Sequence, residues 1–258
     1  MAASDNDPFR LQQLLEKKRS NQGLQTSVKG GQDSETALQR ACKIAARNDD
    51  PRSLRVLLDE GCGIQRGTIS AAAYSGSIEI FELFLEYGWD VNESLGHPGD
   101  ALLMAIGAEK VNLVQWLLAH GADPNMNLRG ASYTAIECAA LTTSIPLLEA
   151  LINAGAQVQG HSALQIAARG GSTEVVAYLL ERGAAIDETP DDYAGVGNAL
   201  CEAASEGRTE VAKLLLEKGA NIEAKNPSGK TALNVAEANG HTACVDVLNT
   251  AYVRNKAG

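Results

Sequence analysis

The chain has 258 residues, of which 22 are basic and 32 acidic, giving a net charge of −10, and only 4% of its residues are aromatic. This acidity argues against nucleic acid as a partner, because tight binding needs a basic stripe that displaces counterions. No apolar stretch is long enough to span a bilayer and no signal-type segment opens the chain, so we expect a cytoplasmic or nuclear protein with no membrane partner.

The first 34 residues differ from the rest of the chain. Residues 8–19 carry Phe9, Leu11, Leu14 and Leu15 and predict an amphipathic helix, which a polar, Gly-bearing linker follows. We expect residues 1–34 to form this helix and a mobile linker. The helix is predicted to cover the apolar end of the array that follows, with docking to a separate partner as the alternative.

From residue 35 onward, one pattern recurs with a period near 33 residues. Its centre is a small pair, two adjacent and mostly Ala residues, found at Ala45-Ala46, Ala72-Ala73, Ala105-Ile106, Ala139-Ala140, Ala167-Ala168, Ala203-Ala204 and Ala236-Glu237. A Gly follows each of the first six pairs, at Gly61, Gly88, Gly121, Gly155, Gly183 and Gly219. Such self-similarity predicts a repeat array over residues 35–253, with residues 254–258 as a C-terminal tail.

Each repeat is predicted to contain two helices. The first is short, carries the small pair, and in five repeats begins after a residue suited to cap it: Asp100, Thr134, Ser162, Asn198 or Thr231. The second buries an apolar stripe, as in residues 175–180 and 211–216, and stops at the Gly. Neither helix can bury its apolar face alone, so stacking between repeats must supply the core.

Three segments resemble the ankyrin repeat: Thr231-Ala-Leu-Asn-Val-Ala, Ser162-Ala-Leu-Gln-Ile-Ala-Ala and Gly219-Ala-Asn-Ile-Glu-Ala-Lys-Asn. The resemblance covers roughly residues 35–250, with Ala where the family favours Pro. It implies an all-α solenoid of about seven helix-turn-helix repeats joined by short hairpins. It also implies a non-catalytic interaction module, or scaffold, that binds a protein or peptide through a concave groove and the hairpin fingers beside it.

The spacing between successive small pairs varies from 27 to 36 residues. The two short intervals must lack most of a finger, at residues 61–68 and 155–162, whereas the longest adds an acidic loop at residues 187–197. Because loops held by a rigid scaffold often carry binding residues, we expect the uneven fingers to shape the binding surface. The acidic loop favours a basic partner.

The partner-binding residues are predicted on the fingers and first helices of the middle repeats. They are Tyr74, Trp89, His97, Tyr133, His161, Arg169, Asp191, Asp192 and Tyr193. Trp89 stands at the root of a finger where the family usually has Ala, which favours a binding hot spot. The alternative is that the Trp89 ring packs inside the protein.

The sequence favours a protein that is not an enzyme. It contains no recognised catalytic motif, and Asn226-Pro-Ser-Gly-Lys-Thr231 lacks the earlier Gly and the strand of a phosphate-binding loop. Scattered cysteines and histidines predict no metal site, no disulfide framework and no cofactor. The alternative is a small-molecule-binding protein or unconventional enzyme that uses Tyr133, Glu137 and His161 for acid–base chemistry.

Overall fold

The computed structural model describes residues 36–93, 100–126, 133–189 and 197–257. The chain divides into two compact units, Met1–Ala122 (unit 1) and Asp123–Gly258 (unit 2). Within the described ranges every regular element is an α-helix, apart from one isolated bridge between Lys225 and Thr231. The predicted all-α fold class is confirmed. The helix predicted over residues 8–19 lies outside the described residues.

The described part of unit 1 contains three helix pairs. The helices are α1 (Ala37–Arg47), α2 (Pro51–Asp59), α3 (Arg66–Ser75), α4 (Ile78–Glu86), α5 (Ala101–Gly107) and α6 (Val111–Ala119). First helices pack on first helices, α1 on α3 and α3 on α5, while the second helix α2 packs on α4. Each pair is thus one repeat, and successive repeats of the unit pack against one another.

In unit 2, the residues that the structure describes form four helix pairs in the same arrangement. They are α7 (Ala135–Thr142), α8 (Ile145–Asn153), α9 (Ala163–Gly170), α10 (Thr173–Glu181), α11 (Ala199–Ser205), α12 (Thr209–Glu217), α13 (Ala232–Ala238) and α14 (Thr242–Ala257). The first helices α7, α9, α11 and α13 pack in chain order, and α12 packs against both α10 and α14. Each unit is therefore a short solenoid of helix-turn-helix repeats.

The small pairs lie in first helices, as the sequence predicts. Both members of Ala72-Ala73 and of Ala203-Ala204 have no exposed surface. A methyl side chain lets the neighbouring first helix approach closely, which explains the preference for Ala at these positions. Gly219 follows α12 with a φ of +92°, a left-handed conformation that residues with a Cβ rarely adopt. The other five predicted stop glycines also have positive φ.

Four of the five predicted N-caps are confirmed. The side chains of Asp100, Thr134, Asn198 and Thr231 each accept a hydrogen bond from the backbone N–H three residues later. Ser162 makes no such bond, so the prediction of a cap there is wrong. Its ψ of 14° is not the extended conformation that aims a capping oxygen at the helix. Its backbone N–H donates instead to Glu137 Oε1, at 2.7 Å.

Connections between repeats differ in length as the spacing predicts. The two shortest lie at residues 60–65 and 154–162, and the longest at residues 182–198. The terminal helix α14 runs through residues 254–257, which the sequence assigned to a tail. Basic residues in its last turn complement the helix dipole, and Lys256 Nζ lies 4.5 Å from the centre of the Tyr252 ring.

Candidate functional site

The residue that follows each small pair lies on a solvent-facing side of its first helix. These residues are Arg47, Tyr74, Gly107, Leu141, Arg169, Ser205 and Ala238, all exposed except the half-buried Ser205. Both members of the first six pairs are buried, and so is Ala236 of the seventh, whereas Glu237 is exposed. The position after each pair is therefore free to vary in chemistry. We call the surface that contains these positions in each unit the first-helix face. Tyr74 and Arg169, both predicted binding residues, lie on it.

Unit 1 has a depression of about 630 Å³ on its first-helix face. Its walls include Lys43 and Arg47 of α1, and Arg66, Ser70 and Tyr74 of α3. Residues four apart on a helix share one face, so each helix presents its lining residues together. Tyr74 stands at this site with 59% of its surface exposed.

We call Lys43, Arg47 and Arg66 the basic patch. The net charge of −10 conceals it, because that value averages over the whole chain. The sequence does contain a signal of this patch: the first helices α1, α3 and α5 have no acidic residue. The carboxylates of this unit's helices lie on second helices instead, as with Glu86 of α4, which pairs with Arg55 of α2 at 2.7 Å.

Arg169 of α9 is held in place by the following repeat. Its Nε and Nη2 donate to Glu202 Oε2 at 2.9 and 2.6 Å, and Glu202 Oε1 accepts the Gly197 N–H at 2.8 Å. The Arg169 side chain stays 52% exposed, whereas that of Glu202 is 8% exposed. The guanidinium is therefore oriented by a buried carboxylate while one side of it faces solvent.

Glu137 is buried, and both oxygens of its carboxylate accept hydrogen bonds from backbone N–H groups. Oε2 accepts the Thr134 N–H at 2.8 Å, which completes a capping box on α7, and Oε1 accepts the Ser162 N–H at 2.7 Å. The carboxylate thus ties one repeat to the connection that precedes the next first helix. Tyr133, which is 44% exposed, and His161, which is half-buried, each immediately precede one of these two N–H donors. This use of Glu137 favours a structural role over acid–base chemistry.

Trp89 lies in the core of unit 1 and is 6% exposed. Its ring centre is 5.3 Å from that of Phe81 and 6.0 Å from that of Phe84, in tilted and edge-on arrangements typical of packed aromatics. The sequence left two interpretations of Trp89 open, a binding hot spot and a ring packed inside the protein. The structure has the ring inside the protein. Among the described residues, none accepts a hydrogen bond from its indole N–H.

Four predicted binding residues, His97, Asp191, Asp192 and Tyr193, lie outside the described residues. Unit 2 has a cavity of about 830 Å³ with Lys213, Ala220, Asp246 and Arg254 among its lining residues. It lies between α12 and the terminal helix, at a place that the sequence did not single out.

No cluster of three His, Cys, Asp or Glu side chains could hold a metal within the ranges that the structure covers. Burial raises the pKa of the Cys201 thiol to about 11, so it is protonated near neutral pH and a poor nucleophile. No helix of the described part is long and apolar enough to cross a membrane.

The paired helices, their packing and the variable exposed residue in each repeat define a class of helical repeat proteins. The family model for ankyrin repeats in three copies matches residues 43–128, 102–190 and 190–256. The chain belongs to the ankyrin repeat family. A search of curated proteins finds no match to the sequence.

Among solved structures, the chain is similar to the human ASB11 ankyrin repeat domain. The two are 24% identical with a TM-score of 0.69, over 81% of this chain and 96% of that one. This likeness supports the fold.

Proposed function

We propose that the protein is a non-catalytic interaction module that binds a protein or peptide partner on its first-helix face. Ankyrin repeats generally serve as protein–protein interaction modules. The observation that carries the proposal is the exposed position after each small pair. It holds Arg, Tyr, Gly, Leu, Arg, Ser and Ala in turn, each after a pair whose first member is a buried Ala. A uniform frame with a variable exposed position suits recognition of one particular partner.

Three described residues are the strongest contact candidates. Tyr74 and Tyr133 are exposed aromatic side chains, and Arg169 is an exposed and oriented cation. Tyr and Arg are the residue types that most often supply a large share of binding energy. His161 extends the candidate surface beside Tyr133. Trp89 is not part of the proposed surface, because its ring is buried.

The acidic loop adds a finer proposal about the partner. The charges of Asp191 and Asp192 would attract a basic segment and would make association faster at low salt. Tyr193, the next residue, is proposed as an aromatic contact. His97 is proposed as a contact on another finger. Both sites lie outside the described residues, so the sequence alone supports them.

Alanine substitution tests the proposed surface once a partner has been captured and identified. Tyr74→Ala, Tyr133→Ala and Arg169→Ala are each expected to raise the dissociation constant about tenfold or more, corresponding to about 1.4 kcal/mol or more, if each contacts the partner. The control set, on exposed positions of second helices, is Gln115→Ala, Lys213→Ala and Glu217→Ala. Titration calorimetry measures both sets, and equal losses from both, or losses from the controls alone, would contradict the proposal.

In the alternative acid–base site, Glu137 would act on a substrate and not on the backbone. Its carboxylate would have to exchange the Thr134 and Ser162 N–H bonds for a substrate. Turnover of a small molecule that is lost in His161→Ala, with partner binding intact, would support that alternative.

A further inference from the structure

The basic patch is positively charged, although the net charge of the chain is negative. Within the described ranges, no carboxylate forms an ion pair with Lys43, Arg47 or Arg66. The aliphatic part of Lys43 lies over Gly67, where an added methyl group would be 3.6 Å from Lys43 Cδ. The patch therefore surrounds an open depression and is not neutralised by the neighbouring described side chains.

Helix stability explains the cation at one position of the basic patch but not at another. Arg47 lies in the last turn of α1, where a cation complements the helix dipole. Arg66 is the first residue of α3, where the same dipole disfavours a cation, and α3 has no acidic residue in its first turn to compensate. With 11 and 10 residues, α1 and α3 are longer than the other first helices, and the added length of α3 brings Arg66 to the depression.

We propose that the basic patch and Tyr74 bind an acidic peptide segment of a protein partner. This inference rests on the proposed function and names the chemistry that unit 1 recognises. Carboxylates of the segment pair with Lys43, Arg47 and Arg66, while a side chain of the segment packs on the exposed Tyr74 ring. The guanidinium groups of Arg47 and Arg66 can each bind a carboxylate through two parallel hydrogen bonds.

Selection of random peptides on the purified full-length protein tests this proposal. The enriched peptides are expected to be acidic, and a labelled copy is expected to bind less tightly as salt rises from about 50 to 300 mM. Arg47→Ser/Arg66→Ser is expected to weaken its binding about tenfold or more. The matched control, Arg52→Ser/Lys218→Ser, removes two exposed cations elsewhere and should change binding by less than about twofold.

Three outcomes would overturn the proposal: no acidic peptide among those enriched, equal losses in the two double variants, or displacement of the peptide by a single-stranded oligonucleotide that binds more tightly. If the selected peptides depend on Tyr133 and Leu141 instead, the first-helix face still binds and only the acidic-segment proposal fails. If they depend on Gln115 and Glu217, both proposals fail.

A separate observation concerns Cys42 and Cys62. Cys42 lies in α1 and Cys62 follows α2, and the Cys42 thiol donates a hydrogen bond to Cys62 Sγ at 2.7 Å. Both are free thiols and both are buried. The sulfur atoms need to approach by less than about 1 Å to reach the bonding distance of a disulfide.

The two thiols differ in accessibility. Cys62, but not Cys42, lines a cavity of about 260 Å³ together with Gly63, Ile64 and Tyr87. Cys42 has no exposed surface, and burial raises its pKa well above the usual range, which keeps it protonated as the donor to Cys62. An oxidant therefore meets the Cys62 sulfur first.

We infer that Cys42 and Cys62 form a reversible disulfide when the protein meets a peroxide. The Cys62 sulfur attacks one peroxide oxygen, which breaks the O–O bond, releases water and leaves a sulfenic acid. The raised pKa makes the Cys42 thiol a weak nucleophile, but its sulfur is held 2.7 Å from that of Cys62. It displaces the hydroxyl group, which leaves as water with the thiol proton. In total, two thiols and one hydrogen peroxide become one disulfide and two waters.

Mass spectrometry of the peroxide-treated full-length protein tests this inference. The protein is expected to lose the mass of two hydrogen atoms, and trypsin should release residues 41–43 linked to residues 56–66. Dithiothreitol should reverse the change. Cys42→Ser should abolish it and accumulate oxidised Cys62, whereas the control Cys244→Ser should leave it unchanged. Links between other cysteines, links between two chains, or intact thiols at Cys42 and Cys62 after treatment would overturn the inference.

Discussion

Replacing Leu215 with alanine is expected to lower the free energy of unfolding by about 2–5 kcal/mol, the range for removing a buried Leu side chain. Leu215 has no exposed surface and belongs to α12, which packs against α10 and α14. The cavity would weaken the seam on both sides of this helix. Because stability in a repeat array depends on contacts between neighbours, we also expect a broadened unfolding transition.

Chemical denaturation followed by circular dichroism measures this effect. Glu217→Ala, an exposed substitution on the same helix, is the matched control and should stay within about 0.5 kcal/mol of the unchanged protein. A sharp two-state transition with an unchanged midpoint in Leu215→Ala would contradict the packing described for unit 2.

Replacing Glu137 with alanine is also expected to lower the free energy of unfolding, by about 3 kcal/mol. The substitution removes a buried carboxylate that accepts the Thr134 and Ser162 N–H groups, and leaves both donors without it. A hydrogen bond to a charged group contributes about 1.5–3 kcal/mol, and a buried donor without an acceptor is unfavourable. Glu137→Gln should lose less, because the amide oxygen can still accept one of the two bonds.

Denaturant titration of the two Glu137 variants checks this prediction, with the exposed Glu149→Ala on α8 as control. If Glu137 has the structural role described, Glu137→Ala should lose the most unfolding free energy, Glu137→Gln less, and the control least. If Glu137→Ala were as stable as the control, the carboxylate would not hold the two repeats as described.

The repeat frame was predictable from sequence because it depends on local chemistry repeated many times. Ala72-Ala73 and Gly219 each satisfy a requirement that recurs in the chain, close helix approach in one case and a left-handed stop in the other. The cap at Thr134 is likewise a local feature, set by Thr134 and Glu137 three residues apart.

Features that depend on residues distant in sequence were not predictable in this way. Ser162 matches a cap in sequence, yet its backbone N–H bonds to Glu137 of the preceding repeat. Burial of Trp89 depends on how Phe81 of α4 packs beside it, so both interpretations stayed open. The contact between Cys42 and Cys62 follows from the fold of one repeat over a separation of 20 residues.

The candidate surface was predicted in part. The sequence selected Tyr74 and Arg169, and both lie on the first-helix face. It missed the basic patch, because Arg66 reaches the depression only through the early start of α3. The acidic loop at residues 187–197 predicted a basic partner, whereas the charge of the first helices in unit 1 favours an acidic segment.

Site-specific photo-crosslinking tests most directly the claim that first helices contact the partner. A photoreactive amino acid is placed in turn at positions 74 and 141 on first helices, and at positions 115 and 217 on second helices, all exposed in the structure. Our account predicts crosslinks to the identified partner from the first-helix positions and none from the second-helix positions. Crosslinks from positions 115 and 217 alone, or with equal yield from all four, would contradict it.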